Sequence, residues 1–197
     1  SFRSTGDAEV VLNALATWGK AALSRFNGMF ALALFDTAEQ SLLLARDHAG
    51  IKPLYYSNTH QGIVFGSQYN QIMSHPWNHQ SSPSASGLKL YLQSGLIPGP
   101  YAILENTYAV EPGQWVEVTA CHNLQRGYYY EFPSKATPDL HGEEAVDALD
   151  EAVTRAVGRC LVSDVPVGCF LSGGIDSPVV ASAINDHIGA VPAFTIG

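Results

Sequence analysis

Apolar positions recur every three to four residues along 7–18 (DAEVVLNALATW), where Val10, Val11, Ala14, Leu15 and Trp18 share one face. That spacing predicts an amphipathic helix closing near Gly19, with Asp7 at its front, where an acceptor side chain can cap free N–H groups. The period then changes. Along 29–36 (MFALALFD) large residues alternate with small ones, DTAEQ supplies a turn, and SLLLAR follows as another apolar run. Alternation on both sides of a turn predicts a β-hairpin, here with both faces covered. Short strands are expected at 54–57 (LYYS) and 63–67 (IVFGS), and the stretch 76–87 (PWNHQSSPSASG) is expected to be a surface loop. A short helix is expected around 88–93. In TYAVEPGQWVEVTA, Pro112 and Gly113 turn the chain between two alternating strands.

The polar stretch 132–142 (FPSKATPDLHG) separates this mixture from a different order of elements: helix, apolar strand, glycine loop, helix, strand. The expected organisation is one domain over 1–131, a linker over 132–142 and the start of a second domain over 143–197. The helix over 143–161 places Val146, Leu149, Val153, Val157 and Cys160 on one face. Its charges agree with the helix dipole, Glu143 and Glu144 lying near the start and Arg155 and Arg159 toward the end.

Composition narrows the partners. A hydrophobic share of 46% suits a globular chain. Lys and Arg number 10 against 18 Asp and Glu, a net charge of −8, so nothing here matches a nucleic-acid backbone or an anionic membrane. No apolar run approaches the ~20 residues of a membrane span, and 1–20 lacks the basic start and apolar middle of an export signal. Cys121, Cys160 and Cys169 form no C-x-x-C pair, so neither a disulfide framework nor a zinc site is expected, and the cytoplasm is the expected compartment.

The chemistry concentrates in VPVGCFLSGGIDSPVVASAINDHIG, where an apolar run without alternation enters SGG and then a marked helix. This predicts a buried parallel strand feeding a loop and helix. Ser177 is a suitable N-cap, Pro178 a suitable first helical residue and Gly189 a suitable left-handed end. Residues 172–176 would then lie beyond the carboxyl end of a strand, beside a helix N-terminus, where anions bind. Gly173 and Gly174 can take positive φ and let a phosphate reach the backbone, and Ser172 and Ser177 can add hydroxyl donors. Asp176 would repel a bare phosphate, which suggests a Mg²⁺ ion between carboxylate and phosphate. The loop lacks the lysine of a Walker A motif. The plainer alternative is that two glycines after a strand make only a tight turn.

SDVPVGCFLSGGIDS resembles the start of the synthetase domain of glutamine-hydrolysing (class B) asparagine synthetases. GDAEVVLNALATWG, FNGMFALALFD and LLLARDHAGIKPLYY followed by FGS resemble that family's glutaminase domain, in order, so nearly the whole chain is covered. The resemblance implies an α/β (α+β) protein: an incomplete N-terminal-nucleophile-type αββα glutaminase sandwich, then the start of an ATP-pyrophosphatase doubly wound parallel domain. In such enzymes a cysteine releases ammonia from glutamine, ATP converts the aspartate carboxylate to an acyl-adenylate, and ammonia attacks it, giving asparagine, glutamate, AMP and pyrophosphate. Glutamine, aspartate and ATP are the implied substrates, with Mg²⁺, and a homodimer is implied.

Residue by residue, the resemblance implies that Asp7 holds the glutamine α-amino group, the helix cap being the alternative. It implies that Ser172, Gly173, Gly174, Asp176 and Ser177 bind pyrophosphate, with Asp176 as metal ligand, and that Phe170 and Ile196 meet adenine through their backbones. Arg46, Asp47 and Lys52, in the signature ARDHAGIKPLYY, read as charges around a tight turn with a structural role. His75 and His79 have Pro76 between them, which removes the helix a metal pair would need. Cys160 and Cys169 read as core residues.

No cysteine precedes Cys121, so the family's nucleophile, which directly follows the initiator methionine, has no counterpart and no catalytic residue is assigned. The family's second nucleotide motif and aspartate pocket have none either. Neither glutamine hydrolysis nor amide synthesis is expected of this stretch alone. The roughly 55 residues after the linker are few for a doubly wound sheet, which predicts an exposed sheet edge and low stability there. Two other readings stand: a relative that amidates or cyclises another carboxylate, and a non-catalytic ATP-binding paralogue.

Overall fold

Six residues, Ser41–Arg46, decide the architecture of the first unit. They form strand β2 in the computed structural model, which describes residues 2–121, 123–133 and 139–195. Leu43 and Ala45 point to one face of the sheet and Leu44 to the other, and all three are buried. A strand apolar on both faces must be covered on both, each fully buried leucine being worth about 2 kcal/mol.

β2 pairs antiparallel with β1 (Ala31–Asp36) and, on its other side, with β6 (Gln114–Val118), which pairs with β7 (Leu124–Tyr128). On one face lie α1 (Asp7–Trp18) and the 3₁₀ segment Gly19–Arg25, whose Ala14, Leu15, Ala22 and Leu23 pack on Leu43 and Ala45. On the other face lies a second antiparallel sheet, ordered β4 (Gly62–Gly66), β3 (Tyr55–Thr59), β5 (Thr107–Ala109). Leu54, Tyr56 and Val110 meet Leu44, Val116 and Val118 between the sheets. Helix α2 (Tyr69–Ser74) buries Ile72 against β3 and β4, where the rings of Tyr69 and Tyr55 meet at 5.2 Å. The layers are therefore helix, sheet, sheet, helix.

Three expectations change here. The hairpin 29–46 forms, but only β2 is buried on both faces; Phe35 on β1 is 55% exposed. Pro112 and Gly113 do not close a hairpin. β5 belongs to one sheet and β6 to the other, so the chain crosses between sheets at this turn. The stretch 76–87 is not wholly a surface loop: Asn78 is buried, accepting from Ser57 Oγ at 2.6 Å and donating to the Ile72 carbonyl at 2.7 Å. Helix α3 (Ala85–Ser94) follows, capped by Ser84 Oγ, which accepts from the Gly87 N–H.

The second unit, Pro133–Gly197, contains α4 (Gly142–Cys160), β8 (Cys169–Phe170), α5 (Asp176–Ile188) and β9 (Ala193–Phe194). β8 and β9 pair in parallel. The helices pack where Gly158 lets His187 approach, and His187 Nε2 lies 2.8 Å from the Thr154 carbonyl. The expected buried strand is only two residues long. Cys169 is buried, but Phe170 is 82% exposed, and Val146 and Leu149 on α4 are 65% exposed each. Among the described residues of this unit, two strands and two helices supply too little surface to cover a parallel sheet on both faces.

Candidate functional site

The loop after β8 brings its two serines together. Ser172 N–H donates to Ser177 Oγ at 2.9 Å, the two hydroxyls lie 2.8 Å apart, and Gly174 N–H donates to Ser172 Oγ at 3.3 Å. This contact moves the start of α5. Ser177 was expected to cap the helix; instead its hydroxyl is engaged across the loop, and Asp176 is the first helical residue, after Ile175 in the capping position with no side-chain cap. The first backbone N–H groups of a helix have no intrahelical acceptor, so they face the loop. Gly189 closes α5 with a positive φ of 77°, but its ψ of −161° lies outside the left-handed helical region that was expected.

Neither Gly173 nor Gly174 takes a positive φ, so the turn itself does not require them. Space does distinguish Gly173, because a Cβ there would meet nothing within 4 Å. A helix N-terminus, two hydroxyls and an open backbone surface suit a phosphate chain, and the exposed Asp176 carboxylate stands where a hard cation could bridge to it. Asp176 and Ser177 also line a cleft of about 630 Å³ with Phe170, Cys169, Val180 and Ile184.

Phe170 offers its backbone. Cys169 N–H donates to the Pro192 carbonyl and Leu171 N–H to the Phe194 carbonyl, so the N–H and C=O of Phe170 point to the opposite edge of β8. Ile196, its expected companion, lies outside the described residues. Among the described residues no three His, Cys, Asp or Glu side chains gather as a metal site. No described helix is long and apolar enough to cross a membrane.

Asp7 lies in the first unit. It is the first residue of α1, after Gly6, and its exposed carboxylate caps nothing. Glu9 holds the entry to the helix instead. Its carboxylate accepts from Arg3 N–H at 2.9 Å and from Ser4 N–H at 2.6 Å, and these bonds, that of Arg3 first, pull its pKa below the usual carboxylate range. The sequence reading passed over Glu9; the signal was a glutamate in the third helical position, which reaches back to backbone N–H groups.

Asp47 is buried completely, although its sequence neighbourhood read as charged surface. Its carboxylate accepts from Ala49, Ile51 and Lys52 N–H groups at 2.9–3.1 Å. Burial raises its pKa, but those hydrogen bonds outweigh burial and leave it lowered. Arg46 donates to the carbonyls of Lys52, Val110 and Gly50 at 2.7–2.8 Å. The Gly113 N–H donates to the Asp47 carbonyl at 3.1 Å. Arg46 and Asp47 thus tie the turn 46–52 to the crossing between the sheets, which is a structural role.

Two stretches of the chain match known protein families. Residues 1–129 match the family described as glutamine amidotransferase domain, and the chain belongs to that family. Residues 148–197 match the family described as asparagine synthase. Relatives include glutamine-hydrolysing asparagine synthetase 1 of Bacillus subtilis, 28% identical over 100% of this chain and 31% of that protein. A Methanocaldococcus jannaschii protein provisionally named glutamine-hydrolysing asparagine synthetase 2 is 30% identical over 97% of this chain and 38% of its own length. Amidase chry2 of Gibberella zeae is 30% identical over 95% of this chain and 28% of its own. The chain spans about a third of the length of the curated relatives it matches.

Proposed function

We propose that this chain is part of a glutamine-dependent asparagine synthetase, in which ammonia from glutamine converts aspartate to asparagine with cleavage of ATP to AMP and pyrophosphate. The observation that carries the reading is the tandem of a glutamine amidotransferase domain at 1–129 and an asparagine synthase match at 148–197 that contains SGGIDS. The first unit, 1–131, is read as part of an N-terminal-nucleophile glutaminase sandwich. The stretch 143–197 is read as the start of a doubly wound ATP-pyrophosphatase domain, joined through 132–142.

Each residue has a physical task in this reading. The Asp7 carboxylate receives the α-ammonium group of glutamine as a charge-assisted hydrogen bond. The helix N-terminus at Asp176 and the hydroxyls of Ser172 and Ser177 hold the pyrophosphate part of ATP, and Gly173 leaves room for it. Phe170 and Ile196 are read as offering backbone groups to adenine. Asp176 holds Mg²⁺, which when bound offsets phosphate charge and stabilises pyrophosphate as leaving group. The working form is read as a cytoplasmic homodimer.

The similarity to a protein named as an amidase favours a second reading, in which the carboxylate that is activated belongs to another compound. Product analysis separates the two. Incubated with glutamine, aspartate and Mg-ATP, the full-length protein should form asparagine and AMP in equal amounts. AMP without asparagine, formed only with a different carboxylic acid, would favour the second reading, and no AMP with any acid would exclude both.

A further inference from the structure

We infer that Glu9 is a positioning residue for glutamine: its carboxylate fixes the turn that presents Asp7. The inference rests on the reading of Asp7 as the ammonium acceptor. Residues 3–6 lead into α1 without a helical ladder of their own, so the segment before Asp7 is not held by the helix itself, and the Asp7 carboxylate at the first helical position caps nothing. The Glu9 carboxylate supplies that hold. It accepts from the backbones of both Arg3 and Ser4, at 2.6–2.9 Å, across five and six residues of chain. A carboxylate at the third helical position also lies in the positive end of the helix dipole, which keeps it ionised and at the front of the helix. Helix α1 is in turn fixed on the sheet by Ala14 and Leu15. Glu9 therefore transmits the position of a packed helix to the bend before Asp7. Asp7 and Glu9 divide the work: one carboxylate binds backbone, and the other stays open to a ligand.

The test uses the full-length protein and four variants, Glu9→Ala, Glu9→Gln, Glu9→Asp and Asp7→Asn, assayed with glutamine and separately with ammonium chloride as nitrogen donor. Glu9→Ala should raise the KM for glutamine about tenfold, the equivalent of weakening one charge-assisted hydrogen bond between Asp7 and the ammonium group. Activity with ammonia should stay within about twofold, because ammonia as donor bypasses the glutamine binding in which Asp7 is read to act. Glu9→Gln should restore part of the affinity, since its amide oxygen still accepts an N–H. A KM for glutamine unchanged in Glu9→Ala while Asp7→Asn raises it would overturn the positioning role alone. A KM unchanged in Asp7→Asn would overturn the reading of Asp7, and the inference with it. Should Glu9→Ala lose both activities together through misfolding, Glu9→Gln and Glu9→Asp decide by the same split: equal loss with both nitrogen donors contradicts the inference, and loss with glutamine alone supports it.

Discussion

Acidic side chains carry three different tasks in this chain, and their surroundings sort them. Asp47 is enclosed and saturated with backbone donors, Glu9 binds backbone at a helix front, and Asp176 is exposed beside a glycine loop. Removing the Asp47 carboxylate would leave three N–H groups without their acceptor, so Asp47→Ala should lower stability by about 3 kcal/mol or more in urea unfolding. The sign of its pH dependence follows from a folded-state pKa below the unfolded one. The stabilisation is complete above the unfolded value of about 3.9 and disappears as pH falls through the lower folded value. Wild type should therefore lose stability in acid more steeply than Asp47→Asn, and identical acid profiles would contradict this. Gly173 separates a ligand role from a turn role. Because a Cβ there meets nothing and its φ is not positive, Gly173→Ala should leave the melting temperature unchanged while raising the KM for ATP about tenfold in the full-length protein. A fall in melting temperature with ATP affinity intact would return the glycine to the tight-turn alternative.

At the scale of elements, a close approach also decides a glycine in α3. A Cβ on Gly87 would stand 2.3 Å from the Ala102 carbonyl oxygen, a backbone atom that cannot rotate away. Alanine favours a helix over glycine by up to about 1 kcal/mol, but this overlap costs more, so Gly87→Ala should destabilise the protein by about 1–2 kcal/mol net in thermal unfolding. A stabilised variant would show that α3 is not held against residue 102. The helices α1 and α4 were legible because their apolar residues recur at helical spacing, α5 from Pro178 near its start and Gly189 at its end, and β1 and β2 because alternation meets a turn. Others, β7 and α2 among them, were not. β7 (LQRGY) has little apolar pattern and is made a strand by β6, where the Gly127 backbone lies under the Trp115 indole. Helix α2 is only six residues long, too short for a period to show. The crossing at Pro112–Gly113 was misread for a related reason. Local sequence announces a turn, while the sheet each flanking strand joins is set by β2 and β3, far away in the chain. Likewise the burial of Asp47 was hidden by its charge, although the glycine at 50, with φ of 67°, marks the tight loop that its carboxylate organises.

For the whole molecule, the change from a mixed antiparallel unit to a helix–strand–loop–helix–strand order after residue 132 was visible in composition, and so was the SGGIDS loop. The extent of burial in the second unit was not visible, because an apolar strand specifies that it needs cover without specifying which elements supply it. That unit keeps Phe170, just before the loop proposed to bind ATP, and Ile175, within it, at 82% exposure each. Under the proposed function the acceptor carboxylate is aspartate. The most direct measurement is pyrophosphate release by the full-length protein from Mg-ATP and glutamine, with and without aspartate. The account predicts release that depends on aspartate and falls at least about tenfold in Asp176→Asn, because a cation ligand is lost at the leaving group. Release independent of aspartate, or unaffected by Asp176→Asn, would contradict it.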